Sequence, residues 1–329
     1  LGIEPVLPFR KSYNRAILED IPELNLKQID GWGQPYRELF SSLVSSTSAI
    51  SGDIVHSTFY TPGFDWKYRA WPSATTLYDM IPERLGARGR FGNAHLAKKT
   101  FIKNADLLFS ISETSSADMQ DFYDFKTAPP ITTYLGVGAE FSPGAAVPGW
   151  LPDRYFLYVG QRDGYKDITT AYKAFAHAFE GQQVSFILAG GGPLKEYEQS
   201  LIAELGITAQ VSQHMISSEE LPGASARAQA LIFTSNFEGF GFPPIEAMAS
   251  GTPSLVAQTE ISEEVCAQSS TFFEVKNYIE LAEKLQLSIE KDISVTSLIP
   301  SGLERAAFFS WENCAKATAA GYISYFDAH

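Results

Sequence analysis

The sequence predicts an α/β chain of two doubly wound parallel-sheet domains, and three observations carry that prediction. From about residue 150 onward, short apolar runs ended by glycine alternate with apolar stripes of helical period. Strand-then-helix alternation produces parallel strands with helices on both faces. The earlier part of the chain repeats the pattern less regularly, and 329 residues suit two domains at about 100–200 residues each.

In chain order, residues 2–9 read as a strand already under way. The chain starts without Met, so a first strand is expected upstream. Residues 53–57, 74–78, 106–111 and 131–135 are the next strand candidates, and 36–45, 92–103 and 115–122 the helical ones. Residues 136–153 are rich in Gly, Pro and Ala and read as a linker. Tyr155 to Val159 is apolar and stops at Gly160, as a buried parallel strand does. Ile168, Ala171, Tyr172, Phe175 and Phe179 then form a helical stripe. Val184 to Ala189 is a strand, and Leu194, Tyr197, Leu201 and Leu205 mark a helix stopped by Gly206. Ala230 to Thr234 is a strand, and Pro244 opens a helix that closes before Gly251. Ser254–Ala257 and Thr271–Phe273 follow as strands and Ile279–Ile289 as a helix. A last helix runs from the N-cap Ser310 to Phe326. The domains are therefore placed at 1–143 and 144–310, with 311–329 as a terminal helix.

Lys and Arg number 25 against 38 Asp and Glu, a net charge of −13. That balance excludes a nucleic-acid coat, which needs cations to displace counterions. It also disfavours stable docking on anionic lipid, although a local patch stays open. Hydrophobic residues at 45% and charged residues at 19% describe a folded core. Cys266 and Cys314 lack neighbours at ligand spacing, so neither a disulfide framework nor structural zinc is expected. No run reaches the 18–20 apolar residues or so that a membrane span needs, and no signal peptide is visible. The expected compartment is the cytoplasm, with weak peripheral membrane association left open.

Residues 236–251 hold the strongest chemical signal. Glu238 and Glu246 straddle the loop from a strand end to the next helix, where open α/β sheets bind ligands. Gly239 and Gly241 permit close backbone approach, and the amides of Phe240, Gly241 and Phe242 can cradle an anion. Two carboxylates would repel that anion, so their natural task is to accept from hydroxyl groups, as of a sugar. The plainer alternative is a tight turn carrying two solvated acids. Residues 159–166 carry the second signal. Arg162 can fork onto a phosphate and Lys166 adds a point charge, together balancing a diphosphate without metal. No Asp-x-Asp pair occurs in the chain, so no metal site and no cofactor are expected. Gly190, Gly191 and Gly192 form a weaker signal. Lys195 stands where a dinucleotide fingerprint needs its last glycine, which argues against an NAD-linked dehydrogenase. His56 ends a strand at the cleft edge, as an acceptor-side candidate or a core residue. No catalytic triad or zinc set is found.

The pairing of Gly160-x-Arg162 and Lys166 with Glu238 and Glu246 resembles family 4 of the retaining, GT-B fold glycosyltransferases. Residues 78–83, 111–115, 133–138 and 309–312 are similar to the same family. The resemblance implies two Rossmann-like domains facing across a cleft, the last helix crossing back from Trp311 onward. It implies that Gly160, Arg162 and Lys166 meet the donor diphosphate, Glu246 the ribose, and Glu238 with Phe240–Phe242 the transferred sugar and phosphate. The nucleobase would lie against residues 212–217, Met215 among them. Tyr78 and Asp79 stand where members often carry His-Asp, the His touching the donor sugar. The family's first glycine-rich loop is not visible in this numbering. The implied activity is transfer of a hexose from a GDP- or UDP-sugar, GDP-mannose preferred, to a glycan, lipid-linked or small-molecule hydroxyl. A non-catalytic nucleotide-sugar-binding subunit and a sugar-nucleotide epimerase are the alternatives.

Overall fold

The computed structural model of the chain describes residues 6–9, 25–28, 53–58, 60, 71–86, 93–125 and 127–329. The expected helix at 36–45 lies outside them. Strands β1 (Val6–Phe9) and β2 (Asn25–Gln28) pair parallel as a separate ribbon. A parallel sheet of four strands follows, in spatial order β3 (Val55–Ser57), β4 (Ser73–Leu77), β5 (Leu107–Ser110) and β6 (Ile131–Thr132). Its helices are α1 (Ile81–Arg84), α2 (Asn93–Asn104) and α3 (Glu113–Phe122). Leu77, Met80, Phe101, Ile102, Leu108 and Met119 fill the space between them.

The second sheet has six parallel strands: β7 (Tyr155–Val159), β8 (Ser185–Ala189), β9 (Val211–His214), β10 (Leu231–Phe233), β11 (Ser254–Ala257) and β12 (Thr271–Phe273). Their spatial order is β12-β11-β10-β7-β8-β9. Odd and even residues of a strand face opposite sides. Phe156 and Tyr158 therefore pack with α4 (Ile168–Phe179) and α9 (Tyr278–Ile289), while Tyr155 and Leu157 pack with α7 (Phe242–Ala249). Each buried Phe on these faces contributes about 1.5–3 kcal/mol. The remaining helices are α5 (Glu196–Glu204), α6 (Leu221–Arg227), α8 (Glu260–Cys266), α10 (Ile293–Thr296) and α11 (Ile299–Phe308). Two adjacent strands, β7 and β10, lead in opposite directions across the sheet. That reversal opens a crevice at their C-terminal ends.

The final helix, α12 (Trp311–Ala328), begins on the cap that the sequence predicts: the Ser310 side chain accepts from the Asn313 amide at 3.1 Å. It then returns to the first sheet. A Cβ on Gly321 would lie 2.7 Å from the Phe109 ring and 3.0 Å from Ile131. The outgoing linker runs beside this return. The Val137 amide donates to the Phe309 carbonyl at 2.9 Å, and a Cβ on Gly136 would sit 2.1 Å from the Trp311 nitrogen.

Candidate active site

The loops after β7 and β10 meet at the crevice, and a short segment joins them. Residues Gly164–Lys166 form a single 3-10 turn. The Tyr165 carbonyl accepts from the Asn236 amide at 2.8 Å, and the Lys166 carbonyl accepts from the Thr234 hydroxyl at 2.7 Å. The Lys166 ammonium closes the contact as an ion pair with Glu238. Sequence reasoning placed these two side chains at one sheet edge, and the structure joins them.

Residues 239–242 then cross toward the first domain. A Cβ on Gly239 would lie 1.9 Å from the Tyr78 carbonyl, so only glycine fits there. The Gly239 carbonyl accepts from the Ser112 hydroxyl at 2.7 Å and from the Ser115 hydroxyl at 3.2 Å. The Phe240 ring is buried against Phe309, Phe242 and Tyr134. Gly241 turns the chain at φ 95° and caps α7, whose next positions are Phe242, Pro243 and Pro244. The prolines remove two amides from the helix start. Anion-capable N–H groups are thereby confined to Gly239–Phe242, and those of Gly239, Phe240 and Gly241 have no acceptor among the described residues.

Glu246 projects from the middle of α7, half-buried, with no hydrogen-bond partner among the described residues. Burial, helped by the nearby Glu140 carboxylate, pushes its pKa up to about 7. Glu140 folds back over Gly138, where an added Cβ would be 2.2 Å from its carboxylate. A partly desolvated acid without donors has acceptor capacity to spare for hydroxyl groups.

Two of the expected residues are engaged within the protein. Arg162 is 3% exposed and faces inward. Its guanidinium donates to Glu198 at 2.7 Å and to the carbonyls of Gly190, Gly192 and Pro193 at 2.8, 2.8 and 3.1 Å. So engaged, the guanidinium is tied to Glu198 and to the carbonyls of the 190–193 turn rather than presented to the crevice as a free fork. His56 takes the second of its two readings, the core residue. Its Nε2 bonds Thr76 at 2.7 Å, its Nδ1 bonds the Tyr322 hydroxyl, and its ring stacks on Phe109. Burial lowers its pKa to about 4. His56 therefore fastens α12 to the first sheet as a neutral core residue.

The other expected residues take the following places. Gly160, at φ 119°, ends β7 and donates to the Ala189 carbonyl at 3.0 Å. Met215 is 79% exposed beside His214, whose ring stacks on Trp150 at 4.5 Å. Tyr78 presents its carbonyl to Gly239, and its hydroxyl pKa is raised, first by burial. Asp79 accepts from the Ile81 amide at 3.0 Å and so starts α1.

Sequence reasoning missed the partners behind this edge. Lys98 is fully buried and donates to Glu83 at 2.9 Å and to the Asp79 carbonyl at 2.7 Å. Ser112 and Glu264 clasp the second domain to the first: Glu264 accepts from the Glu113 and Thr114 amides at 2.6 and 2.8 Å. Only the Ser112 region carried a usable signal, a capping serine after an apolar strand. No helix among the described residues is long and apolar enough to cross a membrane.

Comparison with known proteins bears on the family and the fold. The glycosyl transferases group 1 family model matches residues 149–305. O-antigen chain mannosyltransferase B of Escherichia coli is 22% identical over 282 residues, 80% of this chain and 73% of that protein. The serotype-specific mannosyltransferase WbdA of the same organism is also 22% identical, over 81% of this chain but only 35% of its own length. The MMP alpha-(1->4)-mannosyltransferase of Mycolicibacterium hassiacum is 27% identical over 70% of this chain and 57% of its own. Among solved structures, Anabaena HepE in complex with UDP-glucose superposes with a TM-score of 0.75 at 15% identity, covering 95% of this chain and 88% of that one. A sucrose-phosphate synthase from Thermosynechococcus elongatus gives 0.72 at 20% identity, over 94% and 85%. With two parallel sheets meeting at a switch-point crevice and this match across the second of them, the chain has the GT-B fold and carries a glycosyl transferases group 1 domain over residues 149–305.

Proposed function

We propose that this glycosyltransferase moves a hexose from a nucleoside diphosphate sugar to a glycan hydroxyl in polysaccharide synthesis, with retention at the anomeric carbon and without a metal. The observation that carries the reading is the Lys166–Glu238 pair at the crevice, flanked by amides without acceptors and by the donor-starved Glu246. Lys166 is a cation at the second domain's switch point, held there by Glu238. On donor binding it exchanges Glu238 for the diphosphate, and the loop amides 239–242 share the growing charge. Glu238, released, accepts from a hydroxyl of the transferred sugar, and Glu246 accepts from the ribose. The leaving phosphate oxygen takes the acceptor proton from the same face, so no protein nucleophile is required. Mannose and GDP are favoured by the mannosyltransferase relatives, and the acceptor is a growing glycan by the same comparison. The nucleobase is assigned to the strip around Met215, and the donor sugar's other side to Tyr78 and Asp79.

The test is transfer by the full chain from GDP-mannose, UDP-glucose and UDP-galactose to a panel of oligosaccharide acceptors, with product anomers read by NMR. An α-linked mannoside from GDP-mannose is expected, at the same rate after EDTA treatment. An inverted product would refute retention, and an EDTA loss restored by Mg²⁺ or Mn²⁺ would refute the metal-free chemistry.

A further inference from the structure

Behind the Tyr78–Asp79 loop lies a buried ion pair that the reaction scheme above leaves unused. The loop links β4 to α1 and meets the second domain beside Glu238. A Cβ on Gly239 would lie 1.9 Å from the Tyr78 carbonyl and 3.0 Å from the Asp79 Cβ. Lys98 stands on α2 with its side chain fully buried. Its ammonium donates to Glu83 at 2.9 Å and to the Asp79 carbonyl at 2.7 Å, and lies 3.9 Å from the Asp79 carboxylate. Glu83 in turn accepts from the Tyr123 hydroxyl at 2.7 Å. In the same cluster the Tyr60 hydroxyl accepts from the Tyr78 amide at 3.3 Å.

Such a pair is costly to bury. Two charges leave water, and well-packed apolar side chains of like volume are often as stable or more so. Stability therefore does not account for Lys98 and Glu83. What an ammonium supplies, and an apolar side chain does not, is a directed, charge-assisted bond to a chosen acceptor. Here that bond goes to the Asp79 carbonyl. The Tyr78 amide is held by Tyr60, so the loop is fixed on both sides of the Tyr78–Asp79 peptide. The Asp79 carboxylate accepts from the Ile81 amide at 3.0 Å and ties the same residue to the start of α1. Between these holds lies the Tyr78 carbonyl, the atom pressed against Gly239.

We propose that Lys98 is a positioning residue for the transferred sugar: neutralised by Glu83, its buried ammonium fixes the Asp79 carbonyl and so sets the Tyr78–Asp79 loop against Gly239. The inference rests on the proposed function, which assigns this loop to one side of the donor sugar, and deepens it. Lys98 has no exposed surface and touches no substrate. It acts through Asp79. A misplacement of about 1 Å in such a loop can cost on the order of 100-fold in rate. The nucleotide is assigned to loops of the second domain, so its affinity does not depend on Lys98.

The test compares the full chain with Glu83→Gln, Lys98→Met/Glu83→Gln and Lys98→Arg. The readouts are Tm, GDP and UDP affinity by calorimetry, and kcat with GDP-mannose, UDP-glucose or UDP-galactose, whichever the wild type transfers. Glu83→Gln removes the counter-charge but keeps the ammonium and its bond to Asp79, so Tm should fall while kcat stays within about threefold. The double variant removes both charges at nearly equal volume, so Tm should recover toward the wild type. Its kcat should nevertheless fall about 10- to 100-fold, with GDP and UDP affinity within about twofold. A purely structural pair would give the opposite order, activity following Tm across the two variants, and that order would overturn the inference. A double variant whose nucleotide affinity falls as far as its kcat would overturn it too. If either variant does not fold, Lys98→Arg decides. It keeps the charge, but its planar fork moves the donor off the Asp79 carbonyl. Its kcat should fall at least about fivefold at wild-type nucleotide affinity, and an unchanged kcat would overturn the inference. A wild-type chain that transfers no sugar from any of the three donors would sink the functional reading and this inference together. Wild-type transfer with an unaffected double variant would sink this inference alone.

Discussion

A carboxyl group buried without donors resists ionisation, and Glu246 is held in that condition with a pKa near 7. Its folded value lies above the unfolded 4.5, so its stabilising contribution is complete below about pH 4.5 and is lost as pH rises through 7. Glu246→Gln, neutral at every pH, should match the wild type in stability at pH 4.5. At pH 8 it should be more stable by about 1–3 kcal/mol, read by urea denaturation. The same variant should lose at least 100-fold in kcat/KM, and wild-type kcat/KM should climb with pH through about 7 as the acceptor form appears. A flat profile there would separate Glu246 from the reaction. Lys166 and Glu238 make a second prediction. Lys166→Ala should weaken GDP binding by about 1.5–3 kcal/mol, the value of a charged hydrogen bond. Glu238→Gln should leave GDP binding equal or tighter, because it frees the ammonium, while kcat falls by two orders of magnitude or more. These three side chains were legible in the sequence because they sit on strand-to-helix loops, where position along the chain fixes position along the sheet edge. The partners of Arg162 were not legible, for a physical reason. A guanidinium beside a strand end looks the same whether it faces a ligand or the neighbouring loop, and its partner Glu198 lies on a helix after the next strand.

Among the elements, long buried strands and amphipathic helices announced themselves, whereas β9 did not. Val211–His214 has one buried residue and three half-buried ones, the mark of an edge strand without an apolar run. The strand expected at 131–135 shrinks to Ile131–Thr132 because the chain there leaves the sheet edge for the linker. Helix α12 was legible from its cap, and the cap is testable. Ser310→Ala removes the acceptor for Asn313 and should cost about 0.5–2 kcal/mol. The loss should appear as faster hydrogen exchange in the first turn of α12. Gly321→Leu is a harsher test of where that helix lies. A side chain there enters the Phe109 ring, and overpacking of this kind costs about 1–3 kcal/mol. If α12 did not lie on the first sheet, the substitution would be silent.

At the scale of the whole molecule, the two domains share an apolar cluster around Phe240, Tyr134 and Phe309, and polar contacts at the ends of secondary structure are added to it. Helix α3 shows the logic. An α-helix begins with amides that lack partners. Ser112 accepts from the Ser115 amide at 3.0 Å, and Glu264 from the other domain takes the two before it. The Ser112 hydroxyl simultaneously donates to Gly239, beside Glu238. Arg84, bonded to Asp118, reaches Glu260 at 3.2 Å to complete the clasp. A carboxylate at a helix N-terminus is worth about 0.3–2 kcal/mol, small enough to break and re-form within a catalytic cycle. Nothing in the sequence pairs Glu264 with Thr114, because the contact spans 150 residues and exists only once both sheets are built. Glu264→Ala should therefore shift the molecule toward an opened form, raising the radius of gyration in small-angle scattering. It should lower kcat about three- to tenfold, since water exclusion over the donor depends on closure. GDP affinity should stay within twofold, because the loops assigned to the diphosphate belong to the second domain. A parallel fall in GDP affinity would instead mean that the first domain takes part in holding the nucleotide before closure.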